Sequence, residues 1–401
     1  MRNVVLVDGV RTAFGKVGGS IRQYPTSDLL SIAINGLLDK TQVLERGGKV
    51  DGFYAGSAFC DSQTQGMARY AALNTRLPQD VWTSYVERQC GSAIDAINHA
   101  AAAIMTGAAD IMIAGGGDSH SRRVAKFAQM PLNPYKLELP TAIPQKLAPV
   151  KEDNIDMITI SDKIAALCGI TREACDEFAY RSQMRAAAST EKGYFLDEIV
   201  PVITPATRKT PEVRFVTDEH LRPTTTMEGL AKLRPVYEGG VTTAGNASGL
   251  NDGAGVILMM TEEKAAELGY EPYARFIMPG NAALSPQYMG LGPVDASLQA
   301  LKRAGLTLDD IDVWECNEAF AAQNLGVIAQ LEEKTGKKID MEKWNPNGGA
   351  IAFGHPNGAS GARVCIFTMK ELERRGGKYG LFTSCCGGGQ GVTTLIENLR
   401  R

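Results

Sequence analysis

The chain has 401 residues, of which 44% are hydrophobic and 22% are charged, and 42 Lys and Arg against 45 Asp and Glu leave a net charge of -3. These proportions are typical of a globular protein and exclude a disordered, collagen-like or coiled-coil chain. The length predicts more than one hydrophobic core, and the slightly acidic balance argues against nucleic acid as a main partner.

The first residues, 1–7, are typical of a strand and lack the basic, apolar and small-residue segments of a signal peptide. The eight cysteines are too few and too scattered for a disulfide scaffold, so we expect reduced thiols and a cytoplasmic location. The longest apolar region, 100–117, is interrupted by Asp110 and by glycines and falls short of a membrane span. We therefore expect no membrane anchor.

The sequence contains an internal repeat. A helical pattern at 90–106 is followed by a buried strand at 109–114 and by three glycines at 115–117. The same order returns near the other end of the chain: helix 359–374, strand 379–384 and glycines 387–389. A pair of β-rich runs lies upstream of the two copies: 49–55 and 310–316. Strands alternating with helices in both halves predict an α/β architecture of parallel strands covered by helices on both faces.

Residues 119–249 differ in composition from both halves and are interpreted as an inserted region, with a helical pattern at 175–192. Its first part, 119–142, lacks periodicity and carries, among prolines, Met130, Leu132, Tyr135 and Leu137. Such a segment is typical either of a loop that docks on a neighbouring subunit or of an ordinary surface loop. A turn-rich segment at 245–253 then leads into a strand at 254–259 that closes the first half.

Four histidines are the candidates for a general base. His99 lies inside a predicted helix and is expected to pack, and His220 lies in a polar stretch and is expected to be solvated. His120 follows the first glycine triplet at the mouth of a strand, where α/β proteins place functional groups. His355 lies in the glycine-rich segment 347–358 directly before a helix, and such a turn aims a side chain into a cleft. His355 is therefore the preferred base.

Two cysteines occupy positions that favour nucleophilic or acid–base chemistry. Cys90 begins a predicted helix, where unpaired N–H groups and the positive end of the dipole favour a thiolate. Cys385 ends the last predicted strand and precedes the glycine-rich residues 387–391, whose N–H groups should surround it. The remaining cysteines need no role beyond packing: Cys60, Cys168, Cys175, Cys316, Cys365 and Cys386.

A metal site and a dinucleotide site are both disfavoured by the sequence. Cys385 and Cys386 are adjacent, and no Cys-x-x-Cys or His-x-x-x-His partner is present to complete a tetrahedral zinc site. The glycines at 387–391 lack the Gly-x-Gly-x-x-Gly spacing, and little chain follows them for the rest of a βαβ unit. We therefore expect neither a metal ion nor a Rossmann cofactor.

Four short motifs are similar to those of the thiolase family, in order along the chain: Gln89-Cys90-Gly91-Ser92-Ala93, Asn317-Glu318-Ala319-Phe320, Gly354-His355-Pro356 and Cys385-Cys386-Gly387-Gly388-Gly389. Residues 10–16 and 244–249 also resemble family sequence, so the likeness spans the chain. The resemblance implies a duplicated five-layer αβαβα fold with an inserted loop domain. It divides the chain into an N-terminal half, a loop domain and a C-terminal half: 1–118 with 250–270, 119–249, and 271–401.

The family transfers acyl groups between coenzyme A thioesters. The resemblance therefore implies an acyltransferase that cleaves 3-ketoacyl-CoA to acetyl-CoA and a shortened acyl-CoA, or condenses acetyl-CoA units. Acyl-CoA, acetyl-CoA and CoA would be substrates, and no cofactor would be permanently bound.

The resemblance also implies a role for each motif. Cys90 would be the nucleophile, His355 would take its proton, and Cys385 would act as acid and base at the substrate α-carbon. His355 and a water positioned by Asn317 would hold the enolate oxygen. The N–H groups of Cys90 and Gly387 would hold the second oxyanion, formed when the nucleophile is acylated or released.

Family likeness further implies that the loop domain binds coenzyme A. Ser248 would contact the pantetheine arm and Arg222 would lie near the nucleotide, although a solvated surface charge is an equal interpretation of Arg222. Met157 and Met289 would line the acyl pocket or simply fill the core. The likeness also implies a homodimer or a homotetramer.

The chain departs from the family pattern close to the proposed site. Glu87 and Gln89 replace an asparagine and an apolar residue, a change expected to alter packing beside the nucleophile. The segment 117–121, Gly-Asp-Ser-His-Ser, stands where Gly-Met-Glu-Ser-Met-Ser is usual. Asp156-Met157-Ile158 replaces His-Met-Gly, and Gly229 stands where a serine is common. These differences leave the reaction type intact but leave acyl preference and coenzyme affinity open.

Two rival functions stay open at this point. A decarboxylating ketoacyl synthase would be expected to carry a second histidine in place of Cys385, so the thiol argues against it. A non-catalytic CoA-binding subunit of the same fold would have no need of the four motif side chains Cys90, Asn317, His355 and Cys385. Neither the acyl chain length nor the physiological direction of the reaction is set by these residues.

Overall fold

The computed structural model describes residues 1–401 except residues 60, 128–141, 145, 207 and 209–210. Most of the loop predicted to dock on a neighbouring subunit lies outside the described residues, as do its apolar side chains Met130, Leu132, Tyr135 and Leu137. The packing role predicted for Cys60 also falls outside them.

The N-terminal part of the chain supplies the elements β1 Val4–Thr12, β2 Gly15–Lys16, α1 Thr26–Thr41, β3 Gly52–Gly56, α2 Met67–Leu73, β4 Trp82–Val86, α3 Ser92–Thr106 and β5 Ile111–Ser119. The inserted region supplies α4 Met157–Cys168, α5 Arg172–Glu191, β6 Ile199–Val200, β7 Val202–Thr204, β8 Val213–Phe215 and α6 Met227–Ala231. The rest of the chain supplies β9 Asn251–Thr261, α7 Glu262–Glu267, β10 Ala274–Ala283, α8 Gly292–Ala304, β11 Ile311–Cys316, α9 Ala321–Thr335, α10 Ala350–Phe353, α11 Asn357–Arg375, β12 Tyr379–Cys386 and β13 Gln390–Asn398.

The first glycine triplet lies inside β5 and not after it, so the predicted end of that strand is wrong. The cause is close packing against both neighbours of the strand. A Cβ added to Gly115 would come within 2.1 Å of the carbonyl oxygen of Gly255 on β9, and one added to Gly116 would come within 2.2 Å of that of Gly358 on α11. Glycine therefore serves backbone approach at these positions.

Cys385 does not end the last strand, because β12 turns back into a further strand, β13. The turn between them uses the second glycine triplet, in which Gly388 and Gly389 have φ values of 85° and 87°. Glycine adopts this left-handed conformation without the Cβ penalty that other residues meet. A Cβ on Gly389 would also come within 2.3 Å of the carbonyl oxygen of Leu284.

Eleven of the described strands form one mixed sheet, in the order β11-β12-β13-β10-β1-β9-β5-β3-β4, with β2 paired to β9 and β6 paired to β1. β7 and β8 form a separate antiparallel pair. From the centre outward, the strands of one half are β1, β9, β5 and β3, and those of the other half are β10, β13, β12 and β11. Each strand of the first series corresponds in position to one of the second, as expected for an internal repeat. The expectation of parallel strands throughout each half is wrong. β3, β4 and β5 are parallel, as are β11 and β12, but β9 and β13 run antiparallel to both of their neighbours.

Alternate residues along the strands face different cores, because successive side chains of a strand point to opposite faces. In β1, Val5 and Val7 belong to the core around α1, whereas Val4 and Leu6 belong to the core shared by α3 and α11. In β12, Phe382 joins this central core, and its neighbour Leu381 joins the core around α9.

These three cores separate five layers: an outer layer with α1 and α2, one half of the sheet, the central helices α3 and α11, the other half of the sheet, and an outer layer with α8 and α9. The predicted duplicated αβαβα architecture is therefore confirmed. Each fully buried aliphatic side chain contributes about 1.5–3 kcal/mol to its stability.

The helices α4 and α5 of the inserted region pack on the C-terminal half of the sheet. Ile160 and Ile164 of α4 and Phe178 of α5 share a core with Leu331 of α9. The helix predicted at 175–192 is α5, which begins three residues earlier, where the side chain of Thr171 accepts a hydrogen bond from the backbone N–H of Ala174. Within the described ranges, no helix is long and apolar enough to cross a membrane.

Candidate active site

A cavity of about 770 Å³ lies at the edge of the sheet where β3, β4, β5, β11 and β12 end. Each of these strands is followed within a few residues by a segment that lines the cavity, through Ala58, Glu87, His120, Ala319 and Gly387 respectively. The carboxyl ends of parallel strands meet at one edge of a sheet, and α/β proteins bind ligands there. The repeat thus brings both halves of the chain to one cavity.

Cys90 lines this cavity from a short 3-10 turn, Gln89–Gly91, directly before α3. Gln89 holds a left-handed backbone conformation with φ 50°, which is uncommon outside glycine. Its backbone N–H and its side-chain amide both donate to the carboxylate of Glu87, at 2.9 and 2.7 Å. The two residues that depart from the family pattern thus bind each other at the cavity and brace the turn that carries the thiol.

The thiol of Cys90 is almost completely buried, and the side-chain amide of Asn357 donates to its Sγ at 3.1 Å. Burial raises the pKa of Cys90 to about 11, more than the Asn357 hydrogen bond lowers it. The prediction of a thiolate stabilised at a helix N-terminus is therefore wrong for the resting protein. The thiol keeps its proton at neutral pH, and acylation has to remove it.

His355 is fixed between α10 and α11 by its own backbone and by both ring nitrogens. Its N–H donates to the carbonyl of Gly249 and to Oδ1 of Asn251, each at 3.1 Å. Nδ1 lies 2.6 Å from Oγ of Ser360, and that hydroxyl donates to the carbonyl of Pro356 at 3.2 Å. The hydroxyl proton is thus engaged, so Ser360 accepts from Nδ1–H, and Nε2 carries the lone pair.

Nε2 of His355 faces the side-chain amide of Asn317 at 3.4 Å. Burial lowers the pKa of His355 to about 3, so the imidazole is neutral and its Nε2 lone pair faces the Asn317 amide. Asn317 is itself fully buried, and its Oδ1 has no hydrogen-bond partner among the described residues. An unpaired buried oxygen next to the imidazole is suited to hold a water or a substrate group.

Cys385 is fully buried at the end of β12 and lies behind the cavity wall, whereas Gly387 lines the wall itself. Burial raises the pKa of Cys385 well above the usual value, and negative charge on the nearby Cys90 sulfur would raise it further. Cys385 is therefore a protonated thiol, and it lies close enough to Cys90 for charge on one sulfur to affect the pKa of the other.

The two residues predicted to bind coenzyme A lie on two cavities. Ser248 lines the cavity that holds Cys90, as do Met157 and Met289, which were predicted to line the acyl pocket or fill the core. Arg222 lines a second cavity of about 210 Å³, together with Gly229. The segment 244–250 contributes to both cavities, so the two are neighbours.

Two of the other three histidines, His99 and His220, differ from their predicted roles. His99 is exposed on α3 and does not pack inside the core; its ring meets that of Tyr54 edge to face at 6.3 Å. His220 is half-buried in the second cavity and not freely solvated, and burial lowers its pKa to about 4. His120 does line the main cavity, where its Nε2 lies 2.6 Å from Oδ1 of Asn357.

Two residues of the site have no counterpart among the predicted ones, Asp118 and Asn357. Asp118 is fully buried and accepts hydrogen bonds from the Ser57 hydroxyl and from the backbone N–H groups of Ala58 and Gly358. It joins the ends of β3 and β5 to the start of α11, and burial raises its pKa to about 6. Its place at the end of a glycine-rich strand was the available signal. For Asn357, the signal was its position directly after Gly-His-Pro.

Within the described part of the chain, no group of three or more His, Cys, Asp or Glu side chains is arranged to hold a metal ion.

The raised pKa of Cys90 gives a pH prediction. Because the thiolate is the reactive form, the rate of Cys90 alkylation by iodoacetamide should rise about tenfold per pH unit and reach no plateau up to pH ~10. Peptide mapping after short exposures at each pH measures this rate. A plateau near neutral pH would mean that Cys90 is already ionised and would contradict burial as the dominant effect.

Comparison with known proteins agrees with this geometry. Residues 4–263 match the thiolase N-terminal domain and residues 270–398 match the thiolase C-terminal domain. The chain is 39% identical to an Escherichia coli 3-oxoadipyl-CoA/3-oxo-5,6-dehydrosuberyl-CoA thiolase, with all of both chains covered. It is 41% identical to an acetyl-CoA acetyltransferase of Cupriavidus necator, over 99% of this chain and 100% of the relative.

Solved structures give the same result. The fold matches human mitochondrial 3-ketoacyl-CoA thiolase with a TM-score of 0.89 at 35% identity, covering 99% of each chain. The same human enzyme in complex with CoA matches with a TM-score of 0.88 at 34% identity, covering 99% of this chain and 98% of that one.

A duplicated αβαβα scaffold with the Cys90 thiol and a neutral imidazole at one cavity is an arrangement suited to acyl transfer. The chain belongs to the thiolase family. It is an acyltransferase that exchanges acyl groups with coenzyme A, in the thiolytic direction on 3-ketoacyl-CoA or in the condensing direction on acetyl-CoA.

Proposed function

We propose that Cys90 is the nucleophile and His355 the base of this thiolase. The observation that carries the proposal is the cavity that Cys90 shares with a neutral imidazole whose lone pair is on Nε2. In thiolysis, the Cys90 proton moves to His355 as Sγ attacks the 3-keto carbonyl carbon. The acyl group then stays on the sulfur as a thioester.

We propose that Cys385 supplies the proton for the leaving group. When the bond between the α-carbon and the acylated carbon breaks, its electron pair stays on the α-carbon of acetyl-CoA, and the Cys385 thiol protonates that carbon. The second half-reaction restores the site: the thiol of CoA gives its proton to Cys385 and takes the acyl group, and His355 returns its proton to Cys90. Condensation runs these steps in reverse.

Two oxygens gain charge along this path, and each has a proposed partner. The thioester oxygen of the enolate would be held by His355 and by a water on the unpaired Oδ1 of Asn317. The oxyanion on the carbon attacked by Sγ would be held by the N–H groups of Cys90 and Gly387. Losing one such donor generally costs about 10²–10³ in rate.

We propose that coenzyme A binds along both cavities, with Ser248 at the pantetheine arm and Arg222 near the nucleotide. The human relative solved with CoA supports coenzyme binding by this fold. The main cavity also carries three cationic side chains toward its exposed side, Arg123, Lys126 and Lys146. Cations suit the anionic phosphates of the coenzyme.

The cationic lining gives a salt prediction. Raising the ionic strength from about 0.1 M to 1 M shortens the Debye length from about 10 Å to 3 Å, so KM for acetoacetyl-CoA should rise several-fold while kcat changes little. Lys126→Ala and Lys146→Ala should raise KM in low salt and flatten its salt dependence. Lys49→Ala, which removes an exposed lysine paired with Asp80, is the matched control and should behave as wild type. A salt-independent KM would exclude these cations from coenzyme binding.

The acyl substrate is tested by thiolysis of 3-ketoacyl-CoA substrates from about four to sixteen carbons, with 3-oxoadipyl-CoA included because a relative is named for it. A maximum at acetoacetyl-CoA selects the biosynthetic type, and a broad or longer optimum selects the degradative type. Turnover of none of them, with CoA still bound, would favour the non-catalytic CoA-binding subunit.

Domain division, assembly and location are proposals as well. We propose the division 1–118 with 250–270, 119–249, and 271–401, supported by the insertion of β9 between β1 and β5. We propose a homodimer or a homotetramer on family likeness, to be measured by light scattering of the purified protein. A cytoplasmic location is consistent with the unpaired thiols of the described cysteines.

A further inference from the structure

Three side chains from different elements form a chain of hydrogen bonds that ends on the Cys90 sulfur. His120 follows β5, Asn357 is the first residue of α11, and Cys90 lies in the turn before α3. Nε2 of His120 lies 2.6 Å from Oδ1 of Asn357, and Nδ2 of Asn357 donates to Sγ of Cys90 at 3.1 Å. All three side chains line the main cavity.

The orientation of the Asn357 amide matters for charge on the sulfur. With Oδ1 facing His120, the imidazole donates through Nε2–H and the amide N–H group points at Sγ. The opposite orientation would turn the amide oxygen toward the sulfur, where it would repel a developing negative charge. With its proton on Nε2, His120 therefore favours the amide orientation that stabilises a thiolate.

His120 is itself held in place and kept neutral. Its ring meets that of Phe59 edge to face, with 4.9 Å between the ring centroids. The guanidinium of Arg123 lies over the Phe59 ring, 4.2 Å from its centroid. Burial and the nearby Arg123 charge lower the pKa of His120, so the ring acts as a neutral donor. The chain departs from its family pattern at this position, within the segment 117–121.

We propose that Asn357 is a catalytic residue that donates a hydrogen bond to the Cys90 sulfur as charge develops on it, and that His120 is the positioning residue that fixes the Asn357 amide. This inference rests on the proposed role of Cys90 as nucleophile. The donor acts in both half-reactions. It stabilises the sulfur as its proton leaves for His355, and again when the thioester breaks and the sulfur departs with the electron pair.

A donor is valuable at this sulfur because the other nearby ionisable groups do not favour a thiolate. Asp118 at the end of β5 disfavours negative charge on the thiol, and Cys385 and Cys386 at the end of β12 are buried thiols. The imidazole of His355 is neutral and has to receive the proton. In a buried site, a hydrogen bond to a charged group is stronger than in water.

The test compares Asn357→Leu, which keeps the side-chain size and removes the donor, with the wild type. The rate of Cys90 alkylation by iodoacetamide at fixed pH and the kcat of acetoacetyl-CoA thiolysis should each fall about 10- to 100-fold, with KM changed less than about threefold. Labelling of Cys168, a half-buried thiol outside the cavity, is the internal control and should not change.

A second pair of variants tests the positioning role without touching Asn357. His120→Leu removes the partner of Oδ1 and should lower both rates in the same direction by a smaller factor. His120→Gln keeps an N–H donor and should recover most of the loss. A purely structural role would instead lower stability in both His120 variants alike, without this rescue.

The outcomes separate the two proposals. If Cys90 is labelled in the wild type and Asn357→Leu and His120→Leu keep wild-type rates, the inference is overturned while the proposed nucleophile stands. If thiolysis proceeds but saturating substrate does not protect Cys90 from labelling, the proposed nucleophile is overturned and the inference with it.

Discussion

Replacing Cys90 with alanine should abolish thiolysis and condensation together, with kcat lowered by at least about 10⁴-fold. The reason is that both directions pass through a thioester on this sulfur, and no other thiol lines the main cavity among the described residues. His355 keeps its partners Ser360 and Asn317, so the base stays in place and the loss of activity comes from the missing sulfur. Loss of 3-ketoacyl-CoA absorbance measures thiolysis, and release of free CoA from acetyl-CoA measures condensation.

The control for this variant is coenzyme binding. Because Ser248, Arg222 and the cationic side chains are untouched, Cys90→Ala should bind CoA within a few-fold of wild-type affinity by calorimetry. Retention of more than about one-hundredth of wild-type thiolysis would show that the acyl group travels by another route.

Cys385→Ala should separate the two half-reactions. This variant should still take an acetyl group from acetyl-CoA onto Cys90, because the CoA thiolate is a good leaving group that can depart without the Cys385 proton. It should condense acetyl-CoA about 10²–10⁴-fold more slowly, since no thiol remains to take the α-proton. Exchange of labelled CoA into acetyl-CoA measures the first reaction, and acetoacetyl-CoA formation measures the second.

Cys386→Ala is the matched control for that experiment. Cys386 is the next residue on β12, is equally buried, and packs its Sγ against Gly91, with a pKa raised above the usual range by burial. Removing its sulfur should lower stability slightly and leave condensation near wild type. Equal losses in the two variants would assign the effect of Cys385→Ala to packing and not to proton transfer.

The repeat in the sequence was sufficient to predict two similar α/β halves, whereas the five-layer arrangement was implied by the resemblance to the thiolase family. Helix 90–106 and helix 359–374 recur with the same neighbours, and the structure places them together as the central layer of α3 and α11. The pairing of strands was harder to predict. β13 follows a turn of only three residues and must run antiparallel to β12, but its sequence, from Gln390, carries no sign of that direction.

The chemistry of the thiol was harder to predict than its position. A helix N-terminus contributes a modest stabilisation of negative charge, typically about 0.3–1 kcal/mol at the surface. Burial acts on Cys90 with a larger and opposite effect, and burial depends on β12 and α11, which are distant in sequence. Asn357, which donates the hydrogen bond to Cys90, is also distant from it in sequence. No local pattern around residue 90 therefore indicates this hydrogen bond.

The central claim is that the acyl group is carried on Cys90, and trapping the acylated protein tests it most directly. The wild-type protein is mixed with acetyl-CoA, quenched in acid, digested and analysed by mass spectrometry. We expect one acetyl group per chain, on the peptide that contains Cys90, and its loss when CoA is added before the quench. An acetyl group found instead on Cys385 or Cys386, or no acylated peptide from a protein that turns over, would contradict the account.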